Sequence, residues 1–208
     1  MPAPAAAVKA RLLLVVVALL AILGIVSAAV VAHERATAVD LSHGAATEAP
    51  WPAPEGLGTK DARAALARLD NVYGQKLAEH IHAHLSIVVD GHPVTVPGQI
   101  GLDEAQHFAT SLHTHNTSGI IHVESPVVHD FTLGQFFTEW DVRLDARHIG
   151  ASGGDLTQTL TVFVDGERRL GDPSSIVLHD LDSIELVVAP AGQVVRAEPA
   201  FDWPSNYH

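Results

Sequence analysis

A strict period of two runs through the middle of this sequence. Across residues 80–89, Ile81, Ala83, Leu85, Ile87 and Val89 alternate with His80, His82, His84 and Ser86. Across residues 121–124, Ile121 and Val123 alternate with His122 and Glu124. Successive side chains of a β-strand point to opposite faces. Each segment therefore reads as a strand with an apolar face and an imidazole face, and the apolar face needs a core to cover it. A third pair, His113-Thr114-His115, lies between them. Three H-x-H or H-x-E pairs thus fall within one short stretch, each putting two ligand-type side chains on one side of its strand.

Composition narrows the chemistry. Of 14 histidines in 208 residues, most follow residue 79. There is no cysteine, which excludes disulfides, zinc ribbons, thiolate catalysis, a type 1 copper site and an N-terminal lipid anchor on sulfur. One methionine leaves little for a thioether copper(I) site. Lys and Arg number 12 against 24 Asp and Glu, a formal charge of -12. Such a chain has no electrostatic footprint for nucleic acid.

Residues 12–32 are apolar and uncharged. At 1.5 Å per residue the run is about 30 Å long, the thickness of a bilayer core. Lys9 and Arg11 precede it, which favours a cytoplasmic N-terminus at 1–11. The expectation is a single-pass anchor at 12–32 in the cell membrane, with the rest of the chain outside the cytoplasm. The alternative is a signal peptide, cleaved near Ala32 or Ala38, and a secreted protein. Residues 33–60 are rich in Ala, Thr, Pro, Glu and Gly and are expected to be a flexible linker. A domain at 61–190 and a period-less tail at 191–208 complete the chain.

Within the domain, Ala65, Leu66, Leu69 and Val72 predict a helix over 61–78, weakened by Gly74. Asp90-Gly91 and Asp165-Gly166 each join extended runs and predict hairpins. The two runs echo each other, L-S-I-V-V-D-G at 85–91 and L-T-V-F-V-D-G at 160–166. Each is followed by an Ile-x-Leu, at Ile100 and at Ile176. Residues 98–109 and 150–155 read as loops, the first with a short strand at 100–102. Residues 176–178 and 184–188 read as a second strand pair. Thr132 and Gln135 have capping-box spacing. Leu133, Phe136, Phe137 and Trp140 form one apolar stripe behind them. The fold class expected is α+β: a mixed, mostly antiparallel sheet from two hairpin-containing halves, one amphipathic helix packed on it, and an N-terminal transmembrane helix before it.

The histidine pairs point to a metal site. Neutral imidazole is the commonest protein ligand for zinc, copper, nickel and iron. The expected ligands are His82, His84, His113, His115 and His122. Glu124 serves as a ligand or as the acceptor that orients an imidazole. His80 is a reserve at the start of its strand. Histidine and carboxylate without sulfur suit copper(II), zinc, nickel or iron(II), and outside the cytoplasm raw affinity favours copper(II). A lone histidine is ordinarily a solvated surface residue or one hydrogen-bonded to backbone, and His92, His107, His129, His148 and His179, scattered in turns and loops, are read that way. The function expected is extracytoplasmic binding of copper(II) or zinc for delivery, sensing or sequestration. A second reading makes the domain an interaction module for a neighbouring membrane protein, its histidines forming a surface or a pH switch. A third is a metal-dependent enzyme, since His122-x-Glu124 with a distant histidine fits a facial iron site. A cupin pattern fails, because Ser118 and Gly119 stand where its glutamate should follow His113-x-His115. No G-x-S-x-G accompanies Ser118 or Ser125.

Three blocks carry a family resemblance: H-x-H-L-x-I-x-V-D-G at 82–91, L-H-T-H-N-T-S-G-I-I-H-V-E-S-P at 112–126 and F-T-L-G-Q-F-F-T-E-W at 131–140. Together they resemble a bacterial family of membrane-anchored, extracytoplasmic proteins, over most of residues 80–188. The resemblance implies a location and a shared domain, and no reaction. It also implies a cysteine pair in the loop held here by residues 148–154. This chain has none, so the fold does not need one. Residues 175–188 are similar to the end of β-grasp domains, without a terminal Gly-Gly.

Overall fold

The structure, a computed structural model, describes residues 44–207. The expected anchor at 12–32 and the segment 1–11 lie outside the described residues. Among the described residues no helix is long and apolar enough to cross a membrane. In chain order the elements are α1 (Leu57–Ala67), β1 (Glu79–Val89), β2 (His92–Pro93), β3 (Leu102–Asp103), β4 (Phe108–Ala109), β5 (Leu112–His113) and β6 (Ile120–Ser125). They continue with α2 (Leu133–Trp140), β7 (His148–Ile149), β8 (Ser152–Gly153), β9 (Gln158–Val164), β10 (Glu167–Arg169) and β11 (Asp182–Pro190).

The main sheet runs β10-β9-β11-β1-β6-β5, with β2 also paired to β1. β11 is parallel to β1, and the other pairings in this sheet are antiparallel. The α+β class and the mostly antiparallel sheet therefore match expectation, with two α-helices among the described residues. Both Asp-Gly turns close hairpins, and in each the Asp and the Gly have positive φ. That is the geometry a two-residue turn needs to follow the strand twist. Apolar side chains line up across the central strands: Leu85, Ile184 and Val164 form one row, and Ile87, Leu186 and Val162 the next. All six lie in the core.

Helix α2 covers this face. Thr132 Oγ1 accepts from Gln135 N at 3.3 Å, and Gln135 Oε1 accepts from Thr132 N at 3.0 Å, completing the capping box. Leu133, Phe136, Phe137 and Trp140 are all buried, as the stripe predicts. Thr132→Ala removes one half of the cap and should cost about 1 kcal/mol of stability, read from a denaturant melt of the full chain.

Several expectations need correction. The helix over 61–78 lies earlier, at α1, and ends where Arg68 turns left-handed at φ 57. Its buried stripe is Lys60, Arg63, Ala64 and Ala67, whereas Leu66 is exposed. The two cations can be buried because each reaches acceptors. Lys60 Nζ donates to the Gln99 and Leu102 carbonyls at 2.7 and 2.6 Å, and Arg63 donates to the Thr138 carbonyl and pairs with Asp141. Residues 176–178 do not pair with β11. They anchor the start of α2 instead, with Leu133 N donating to Ile176 O at 2.8 Å. β11 is buried on both faces from Ile184 to Ala189 and takes a central place, between β1 and β9. The loop expected at 150–155 opens as the β7–β8 hairpin, whose Ile149 is buried.

The expected linker also changes character from Gly44 onward. Ala45 bridges Val142, and Trp51 is buried with its ring 5.9 Å from Trp140 at a right angle. One large aromatic among prolines supplies the burial that the segment's composition lacks. The tail is likewise laid on the domain: Glu198 N donates to Glu185 and Phe201 N to Ser183, both on β11.

Candidate metal centre

Strands β1, β6 and β5 are neighbours, so the three histidine pairs meet. Their apolar residues, Ala83, Leu85, Ile121, Val123 and Leu112, are buried. This turns the alternating imidazoles to the other face of the sheet. Register then sets the site. His82 is opposite His122, His122 is opposite His113, and His80 is opposite Glu124. One row of three imidazoles thus crosses three strands, with His115 just beyond the end of β5.

His122 sits at the centre. Its ring lies 4.6 Å from His82, 4.5 Å from His115 and 5.2 Å from His113, centroid to centroid. His80 is 4.9 Å from His82. Ligand atoms of His80, His82 and His122 all fall within 4.8 Å of one another, as do those of His113, His115 and His122. Glu124 Oε1 stands between the two groups, 3.3 Å from His80 Nε2, 3.9 Å from His113 Nε2 and 3.9 Å from His122 Nδ1.

The surroundings orient these rings. His113 is buried, and its Nδ1 lies 2.8 Å from the Thr110 carbonyl. A carbonyl only accepts, so Nδ1 carries the proton and Nε2 offers its lone pair toward the cluster. This backbone contact is the kind that fixes metal-binding histidines. His122 Nδ1 is buried and lacks a hydrogen-bond partner. An orphaned buried nitrogen aimed at other donors is costly unless something completes it.

Burial pushes His122 down to about 3, and the neighbouring His113, His115, His82 and His80 add to the effect. Burial, then His80, lowers His82 as well. Burial lowers His113 against the pull of the Thr110 carbonyl and Glu124. These rings are therefore neutral at pH 7, the form that binds metal.

Of the six expected ligands, five are brought together: His82, His113, His115, His122 and Glu124. His84 is not. It shares the face but is opposite Ile120, its ring stacks on Phe201 at 3.7 Å, and its Nε2 is 3.1 Å from the Ser118 carbonyl. Gly119 makes that contact fit: at φ 82, a Cβ there would lie 3.1 Å from His84 Nε2 and 2.4 Å from the Leu85 carbonyl. The reserve residue, His80, takes the place expected of His84. Sequence reading missed Tyr207, whose ring is 4.6 Å from His82, and Glu104, 3.8 Å from His115. The only signal for Tyr207 was an aromatic in a tail without period. The remaining domain histidines lie elsewhere: His148 contacts Asp145 at 2.8 Å and His179 contacts Asp182 at 3.3 Å.

No protein-family model matches the chain, and neither a curated protein nor a solved structure matches it.

Proposed function

We propose that this chain is a membrane-anchored extracytoplasmic protein that binds copper(II) or zinc through His80, His82, His113, His115, His122 and Glu124. Its role is delivery, sensing or sequestration of the ion. One observation carries the reading: five imidazoles and a carboxylate, from three neighbouring strands and the residue just beyond the end of β5, converge at one face of the sheet. A solvated surface array has no reason to bury the His113 ring with its Nδ1 on the Thr110 carbonyl, or to leave His122 Nδ1 buried without a hydrogen-bond partner. The apolar run at 12–32 and the family resemblance support the location.

The test is a thermal melt of the full chain with copper(II), zinc or a chelator, at pH 7.5 and pH 5. An ion at a hundredfold excess over its Kd should stabilise the fold by about 2.7 kcal/mol at pH 7.5. The gain should shrink at pH 5, where protons compete for imidazole nitrogens. His122→Ala should remove the gain, and His84→Ala should keep it. Absence of stabilisation by any of these ions at pH 7.5, with a normal metal-free melt, overturns the reading.

A further inference from the structure

We infer that the cluster is a two-ion site, with His122 and Glu124 shared between the ions. The inference rests on the metal-binding reading above and deepens it. All the donors rise from one face of a sheet, so they can cover only one hemisphere of any ion. A facial set of three is what such a platform supplies, and six side chains make two such sets rather than one.

Strand spacing separates the sets. Neighbouring strands lie about 4.8 Å apart, so β1 and β5, on either side of β6, are roughly 10 Å apart. Metal–imidazole bonds of about 2.0–2.1 Å hold two donors of one ion no more than about 4.2 Å apart. Donors on adjacent strands can meet that limit with small ring movements, and donors two strands apart cannot without leaning far inward. One ion therefore belongs above β1 and β6, held by His80, His82 and His122. The other belongs above β6 and β5, held by His113, His115 and His122. His122 lies on the ridge between them and belongs to both groups.

Sharing is chemically available to both bridging residues. An imidazole has two ring nitrogens, and it binds an ion through each once its N–H proton has left to water. The unpartnered buried Nδ1 of His122 is the nitrogen that such a bond completes. Glu124 has two oxygens, and its Oε1 already faces His80 of one group and His113 of the other. Two copper(II) ions joined through these residues would couple their unpaired electrons.

The experiment loads the full chain with copper(II) alone, removes loose ion by desalting, and reads bound copper per chain together with paramagnetic resonance intensity. The expected result is two ions per chain with a signal weaker than that of two isolated ions. His80→Ala/His82→Ala and His115→Ala should each leave one ion and restore a full isolated signal, and both touch exposed or half-buried positions. The wild-type stoichiometry and coupling carry the test should a variant not fold. A single bound ion that either variant abolishes overturns the two-ion site and leaves the metal-binding reading standing. Two ions with full, uncoupled signals overturn the sharing. No retained copper overturns both readings together.

Discussion

Phe137→Ala should lower the folding free energy of the full chain by roughly 3–5 kcal/mol, the range for truncating a buried aromatic in a core. Its ring is 1% exposed and lies 5.4 Å from Trp140 and 6.1 Å from Phe136. Trp140 in turn meets Trp51 edge to face. The aromatic cluster thus ties together α2 and the segment from Gly44 that precedes α1. Domains of this size are stable by about 5–15 kcal/mol, so the loss is a large share of the total. A denaturant titration should show a lower midpoint with an unchanged slope, because the folded state remains compact. A negligible shift would mean that the stripe serves a partner rather than the core.

That stripe was legible because burial on a helix repeats at i, i+3, i+4 and i+7, and because Thr132 and Gln135 mark its start. The imidazole face was legible for the same kind of reason, at period two. Which imidazoles meet was not. His80 and His84 share a face, and only the register of β1 against β6 decides that His80 is opposite Glu124 while His84 is opposite Ile120. Register between strands distant in sequence leaves no local trace. The burial of Lys60 and Arg63 was not legible, since their acceptors are carbonyls of residues that sequence spacing does not bring near. Trp51 and Tyr207 were invisible for another reason. Each belongs to a segment without a repeating apolar pattern, and one ring there has no period to mark it as buried or docked. β11 is central because both of its edges are paired, one to β1 and one to β9, and the parallel pairing to the distant β1 is not visible in a reading that pairs it with residues 176–178.

Glu139 should make the metal-free domain lose stability as pH rises above neutrality. Its carboxyl is buried on α2, and burial pushes it up to about 8 from 4.5, against the pull of the Thr110 hydroxyl, Lys60 and Arg63. Between these values the folded chain holds a proton that the unfolded chain has released. The stabilisation is full below 4.5 and is lost as pH climbs through about 8. The histidines act in the opposite direction. His122 is held near 3 in the fold against 6.5 when free, so its contribution is full above 6.5 and lost as pH falls toward 3. Between 4.5 and 6.5 the two effects oppose each other, and above 6.5 Glu139 acts without His122. Denaturant melts in chelator should therefore show a loss of about 2 kcal/mol from pH 6.5 to 8, from 1.36 kcal/mol per pH unit. Glu139→Gln keeps the shape of the neutral acid and cannot ionise, so its stability should stay level over that window. An equal fall in the variant would show that another group carries the alkaline loss and that Glu139 is already ionised at neutral pH.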